Sequence, residues 1–82
     1  MRRLFGSYEA PGPGAPLARH DEFLLWLKGK KAEGYDVDRE IAAAELDRAF
    51  TVWMRDPNKD ESEDFDALTA RLKAEIAAKA AA

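Results

Sequence analysis

Cysteine is absent from this chain of 82 residues, and histidine occurs once, as His20. A structural zinc site needs four nitrogen or sulfur ligands, so the usual zinc site is excluded, and no disulfide can stabilise the fold. No apolar run approaches the roughly 18 residues that a membrane-spanning helix requires. The first residues also lack the apolar segment of a secretory signal, and the sequence therefore predicts a cytoplasmic protein.

The groups that nucleophilic catalysis needs are also missing. The two serines are Ser7, in a stretch rich in proline and glycine, and Ser62, near a predicted helix start. We interpret His20, which has charged neighbours at a predicted helix start, as a solvated or helix-capping side chain and not as a catalytic base. Gly12 and Gly14 alternate with prolines, which removes N–H donors that a phosphate-binding loop requires. We therefore predict no enzyme activity, no catalytic residue, no cofactor, no metal and no small-molecule substrate.

The acidic segment between the second and third predicted helices imitates a calcium-binding loop. Polar residues at alternate positions from Asp56 to Asp64 have the spacing of successive EF-hand ligands. However, Glu61 stands where the sharp turn needs glycine, and Ala67 stands where a bidentate glutamate belongs. The segment therefore predicts a capped turn. An acidic surface for a basic partner is the less favoured interpretation, because acids at a helix start also complement its dipole.

Composition and spacing both favour helices. Hydrophobic residues, many of them alanine, make up 46% of the chain and charged residues 35%. Three segments with apolar residues at helical spacing predict an all-α fold, a small antiparallel three-helix bundle. Its helices span about 18–32, 37–55 and 61–80 of a domain at 18–82, which follows an extended arm rich in proline and glycine at 1–17. The abundance of alanine suggests a bacterial or phage source.

Several residues predict where the helices begin and end. Gly34 is expected to stop the first helix, and Asp36 to cap the second. Pro57 ends the second helix, and Asp60 with Glu63 has the spacing of a capping box for the third. The predicted core consists of Phe23, Leu27, Leu46, Phe50, Trp53, Phe65, Leu68, Leu72 and Ile76.

The first helix carries more large apolar residues than one helix face can bury. Phe23–Leu27 is an uninterrupted apolar run, in which Leu25 falls roughly opposite the core positions and Trp26 lies on a flank. Apolar surface beside a basic cluster is typical of a protein interface. We therefore predict a partner-binding surface on the arm and the first helix. Its members are Phe5, Tyr8, Leu25, Trp26, Lys28, Lys30 and Lys31.

Two alternatives to this interface remain open. In the first, the arm folds back through Leu4, Phe5 and Tyr8 and covers the first helix within the chain. In the second, the basic front half, with Arg2 and Arg3, binds nucleic acid, although acids at the start of the later helices would repel phosphates. The favoured function is a non-enzymatic accessory or adaptor protein that binds a partner protein or forms a homo-oligomer, and not a membrane.

Overall fold

The structure is a computed structural model that describes residues 10–12 and 14–81 and the backbone of residues 2–3. Its elements are β1 (Arg2–Arg3), α1 (Leu17–Ala32), β2 (Tyr35–Asp36), α2 (Asp38–Arg55) and α3 (Phe65–Ala81). The two strands pair in parallel, with Arg2 opposite Tyr35 and Arg3 opposite Asp36. Because each strand has only 2 residues, the fold is essentially helical and the predicted all-α class is confirmed.

The end of α1 lies where the sequence predicts it. Gly34 has a positive φ of +102°, and its N–H donates to the carbonyl of Lys31 at 3.0 Å. A left-handed residue after the last turn is the common way to end a helix, and glycine adopts it without a steric cost. The basic side chains Lys30 and Lys31 in the last turn complement the helix dipole.

Alanine substitutions at two glycines of this region should have opposite effects. We expect Gly34→Ala to lower the free energy of unfolding by about 1–2 kcal/mol, because a Cβ is strained at positive φ. Gly29→Ala should raise it by about 0.5–1 kcal/mol, because Gly29 lies inside α1 and a Cβ there meets no atom within 4 Å. Urea denaturation at low protein concentration measures both. Equal effects of the two substitutions would contradict this explanation of the helix end.

Helices α1 and α2 form an antiparallel pair. His20, near the start of α1, lies 3.1 Å from Thr51 near the end of α2, and Lys31 at the other end of α1 reaches Asp38 at the start of α2. The buried core of this pair lies towards the connection between the helices. It consists of Leu24, Leu27, Val37 and Ala44, with Phe23, Tyr35 and Ile41 packed against it.

Helix α3 packs on α2 and not on α1. Leu68 and Leu72 are the buried residues of α3, and Phe65 stacks on Phe50 of α2 with ring centroids 5.6 Å apart. Within the described helices, no Cα atom of α1 comes within 8 Å of a Cα atom of α3. Helix α2 is therefore the central helix, and the predicted closed bundle of three helices is not confirmed.

The cap predicted for α3 was wrong. Helix α3 begins at Phe65, and not near residue 61, because the side chain of Asp60 is used in a local turn. Its Oδ1 accepts hydrogen bonds from the N–H and the hydroxyl of Ser62, at 3.0 and 2.6 Å. Asp64 caps α3 instead, since its Oδ2 accepts from the N–H groups of Asp66 and Ala67. The interpretation of this segment as a set of turns and caps agrees with these contacts.

The cap predicted for α2 was wrong as well. Asp36 lies in β2, where its backbone pairs with that of Arg3, and it precedes α2 by two positions. Val37 occupies the position before α2 and makes no side-chain cap hydrogen bond. Val37 is fully buried in the core, so packing and not capping fixes the start of this helix.

The predicted core was correct only in part. Leu27, Leu68 and Leu72 are buried, but Phe65 is 68% exposed, and its assignment to the core was wrong. A helix that packs on one neighbour can bury only a narrow stripe, and Phe65 at its first position lies at the edge of that stripe. The remaining predicted core residues are half-buried. They are Phe23, Leu46, Phe50, Trp53 and Ile76.

Candidate protein-interaction surface

The predicted apolar pair on α1 lies at the protein surface. Leu25 is 71% exposed, whereas its neighbour Leu24 points into the core. Trp26 is 39% exposed and stacks on Phe23 with ring centroids 5.9 Å apart. Leucine loses a large part of its favourable transfer energy when it remains in water, so Leu25 is the group in α1 that gains most from being covered.

Two of the three predicted lysines contact their own chain. Lys31 Nζ lies 2.8 Å from Asp38 Oδ1, and the hydrogen bond between them raises the pKa of Lys31 above its ordinary value. Lys30 Nζ lies 5.7 Å from the ring centroid of Trp26 and 5.5 Å from that of Tyr35, within the range of a cation–π interaction. Both lysines therefore help to join α1 to the residues that follow it.

Lys28, the third predicted lysine, and Glu22 differ from the other two lysines in the polar contacts of their side chains. Lys28 and Glu22 are exposed, and neither side chain forms a hydrogen bond or ion pair with another residue of the described part of the chain. They stand three residues after and three residues before Leu25. Glu22 was not predicted as a site residue. The signal that could have found it is the change of charge around Leu25, with Asp21 and Glu22 shortly before it and Lys28 shortly after it.

Two predicted members of the surface, Phe5 and Tyr8, lie outside the described residues, so their roles remain predictions. The described end of the arm contacts α2. Pro11 is buried, and the N–H of Gly14 donates to Thr51 Oγ1 at 3.2 Å. This end of the arm therefore belongs to the folded domain.

The interpretation of His20 as a solvated or helix-capping side chain was wrong. His20 is 1% exposed and Thr51 is fully buried, with His20 Nε2 3.1 Å from Thr51 Oγ1. The hydroxyl of Thr51 has one hydrogen, which it donates to the carbonyl of Asp47 at 3.0 Å. His20 Nε2 must then carry a hydrogen and donate to Thr51, which also accepts from Gly14. The hydroxyl thus connects the arm, α1 and α2.

This network does not resemble a reactive site, although it brings a hydroxyl and an imidazole together. A nucleophile must be reachable by substrate and must be able to give its proton to the base. Thr51 is sealed from solvent and directs its proton to a backbone carbonyl, so the pair serves to satisfy buried polar groups. The described residues also contain no group of three or more acidic or histidine side chains that could hold a metal ion.

A groove of about 680 Å³ runs between α2 and α3, and Lys28 of α1 borders it. Val52, which is 44% exposed, and Trp53 line it on α2, and Leu72 lines it on α3. The groove exists because α1 and α3 lie apart and leave this strip of α2 uncovered. The sequence signal for it is the presence of apolar residues on two faces of α2, which a compact bundle would have covered.

Ion pairs hold one wall of this groove. Arg71 donates to both carboxylate oxygens of Glu63, at 3.1 and 2.9 Å, and to Glu75 at 3.1 Å. The hydrogen bonds from Arg71 lower the pKa of Glu63 below its ordinary value and raise the pKa of Arg71. All three side chains are at the surface, so the pairs orient the segment before α3 and add little stability.

None of the described helices has both the length and the apolar character to cross a bilayer. The cytoplasmic location expected from the sequence remains a prediction. No protein-family model matches this chain, and comparisons with curated proteins and with solved structures find no similar protein.

Proposed function

We propose that this chain is a small non-enzymatic helical protein that binds a protein through α1. The observation that carries the proposal is the exposure of Leu25. This large apolar side chain lies in the middle of α1 and is 71% exposed. Covering a leucine contributes about 1.5–3 kcal/mol. Charges on both sides supply the polar rim that gives such a contact its specificity; they are Glu22 and Lys28, whose side chains pair with no other described residue.

The arm belongs to the same proposal. Phe5 and Tyr8 are aromatic residues in a segment that carries several prolines and glycines, which favours an extended conformation. Aromatic side chains are the most common anchors of protein interfaces. In the proposed complex they extend the apolar contact that Leu25 and Trp26 begin.

Nucleic-acid binding is the less favoured alternative. The contacts of Lys30 with Trp26 and Tyr35, and of Lys31 with Asp38, occupy two of the cations that would meet phosphates. Binding through a few lysines would weaken steeply with added salt. Retention of DNA or RNA at low salt, lost when Lys28, Lys30 and Lys31 are changed to glutamine, would favour this alternative over protein binding.

A photo-crosslinking residue at position 25 tests the proposed function in cells of the source organism. We expect a crosslink to one defined protein, which can be another protein or a second copy of the chain. The crosslinked protein should bind the purified chain, and Leu25→Asp should weaken that binding about tenfold or more, because a charged group then enters an apolar contact.

The control is the same crosslinking residue at position 70, an exposed alanine of α3. Circular dichroism must show that Leu25→Asp remains folded, as expected for an exposed position. The proposal is wrong if position 25 gives no crosslink above the level of position 70.

A further inference from the structure

One flank of Leu25 on α1 carries charges that are complementary to their own reverse. Asp21 precedes Leu25 by four residues, and Lys28 follows it by three. At about 100° per residue, Asp21 and Lys28 lie about 40° and 60° from Leu25 on the same flank, whereas Lys30 lies about 140° away, towards the opposite side of the helix. The flank with Asp21 and Lys28 therefore runs from an acid to a base.

Two copies of α1 that cross at Leu25 in opposite directions would match these charges. A two-fold axis beside Leu25 places this flank of each helix against the same flank of the other, in the reverse direction. Asp21 of each copy then meets Lys28 of the other copy, which gives two equivalent contacts. A parallel pair would instead place acids against acids and bases against bases.

The structure leaves these groups accessible. Asp21 uses Oδ1 in its 2.8 Å bridge to Arg48, and its side chain is 54% exposed, so the second carboxylate oxygen can accept another donor. Lys28 is exposed and has no ion pair with another described residue. Gly29, one turn after Leu25, has nothing within 4 Å of the position of a Cβ, which allows a second helix to approach closely.

We propose that the protein bound at this face is a second copy of the chain, held as an antiparallel pair of α1 helices centred on Leu25. This inference rests on the proposed function and names its partner. Asp21 and Lys28, on one flank of Leu25, match the same two residues of a reversed copy of α1. The exposed edge of Trp26, one position after Leu25, lies close to the axis and is covered in the same contact.

The size of the contact sets its strength. Helix α1 has 16 residues and is about 24 Å long. One pair of such helices buries less than the roughly 1,200–2,000 Å² that is typical of stable interfaces. We therefore expect a weak dimer that depends on protein concentration, and that dissociates further as salt screens the flanking charges.

Charge reversal followed by sedimentation equilibrium tests the pairing. We expect the purified chain to dimerise at low salt between about 10 μM and about 1 mM. In Lys28→Glu alone, the new carboxylate repels Asp21 of the second copy. In Asp21→Lys alone, the new ammonium group repels Lys28 of the second copy. Each variant should raise the dissociation constant about tenfold. An equimolar mixture of the two variants should form a heterodimer with the dissociation constant of the unmodified dimer, because both contacts become attractive again.

Lys73→Glu is the matched control, since it makes the same charge change at an exposed site on α3 and should leave the dissociation constant unchanged. Circular dichroism confirms that Asp21→Lys stays folded after its bridge to Arg48 is lost. The inference is overturned by a chain that stays monomeric throughout the range, or by a mixture that does not recover association. If the chain is monomeric but position 25 crosslinks to another protein, self-pairing fails and the proposed function stands. If the chain neither dimerises nor crosslinks at position 25, both self-pairing and the proposed function are wrong.

Discussion

Changing Leu27 to alanine is expected to unfold most of the chain. Leu27 is fully buried in the core between α1 and α2. Removing a buried leucine side chain costs about 2–5 kcal/mol, because the contact is lost and a cavity remains. A domain of this size without a disulfide has only about 3–5 kcal/mol of stability to lose. Far-UV circular dichroism during urea denaturation should show a folded baseline that is shortened or absent.

The control lies two residues away on the same helix. Leu25→Ala removes the same atoms from a side chain that is 71% exposed, and it should change the free energy of unfolding by less than about 0.5 kcal/mol. Both measurements are made at low protein concentration, so that association does not contribute. If Leu27→Ala unfolds at the same urea concentration as Leu25→Ala, the core described above does not hold α1 to α2.

Thr51→Val should also destabilise the fold, although the new side chain has nearly the same shape. The substitution removes the acceptor of the His20 Nε2 hydrogen and of the Gly14 N–H. His20 is 1% exposed, so water cannot replace the lost acceptor. A buried donor without a partner costs about 1–3 kcal/mol, and we expect a loss of this size in urea denaturation.

Thr69→Val on α3 is a matched control for this prediction. The Thr69 hydroxyl donates to the carbonyl of Phe65 at 2.9 Å, as the Thr51 hydroxyl donates to Asp47. Thr69 does not connect other segments and lies nearer the surface, so its substitution should change stability by less than about 0.5 kcal/mol. Equal effects at the two positions would mean that the hydrogen bonds of Thr51 with His20 and Gly14 add nothing to the free energy of unfolding.

The parts of the fold that the sequence predicts are those set by local interactions. Gly34 stops α1 because glycine tolerates positive φ, and this depends only on neighbouring residues. The apolar spacing of each helix likewise follows from its own sequence. The start of α3 was misplaced because Asp60 and Asp64 are both good caps, and only the turn closed by Asp60 with Ser62 decides between them.

The parts that the sequence does not predict depend on distant residues. His20 becomes buried because Thr51, far along the chain, supplies a hydrogen-bond partner, and no local pattern indicates that pairing. The separation of α1 from α3 likewise depends on which faces of α2 each helix covers. Exposure of Leu25 was predictable, because a helix cannot turn Leu24, Leu25 and Leu27 to the same side.

The attachment of the chain on both sides of α1 limits how this helix can be shared. Before α1, Gly14 is bonded to Thr51, and after α1, β2 is paired with β1. An exchange of α1 between two molecules, as in domain swapping, would have to break both attachments. The proposed association through α1 would therefore join two intact molecules, and such pairs would separate and re-form without any unfolding.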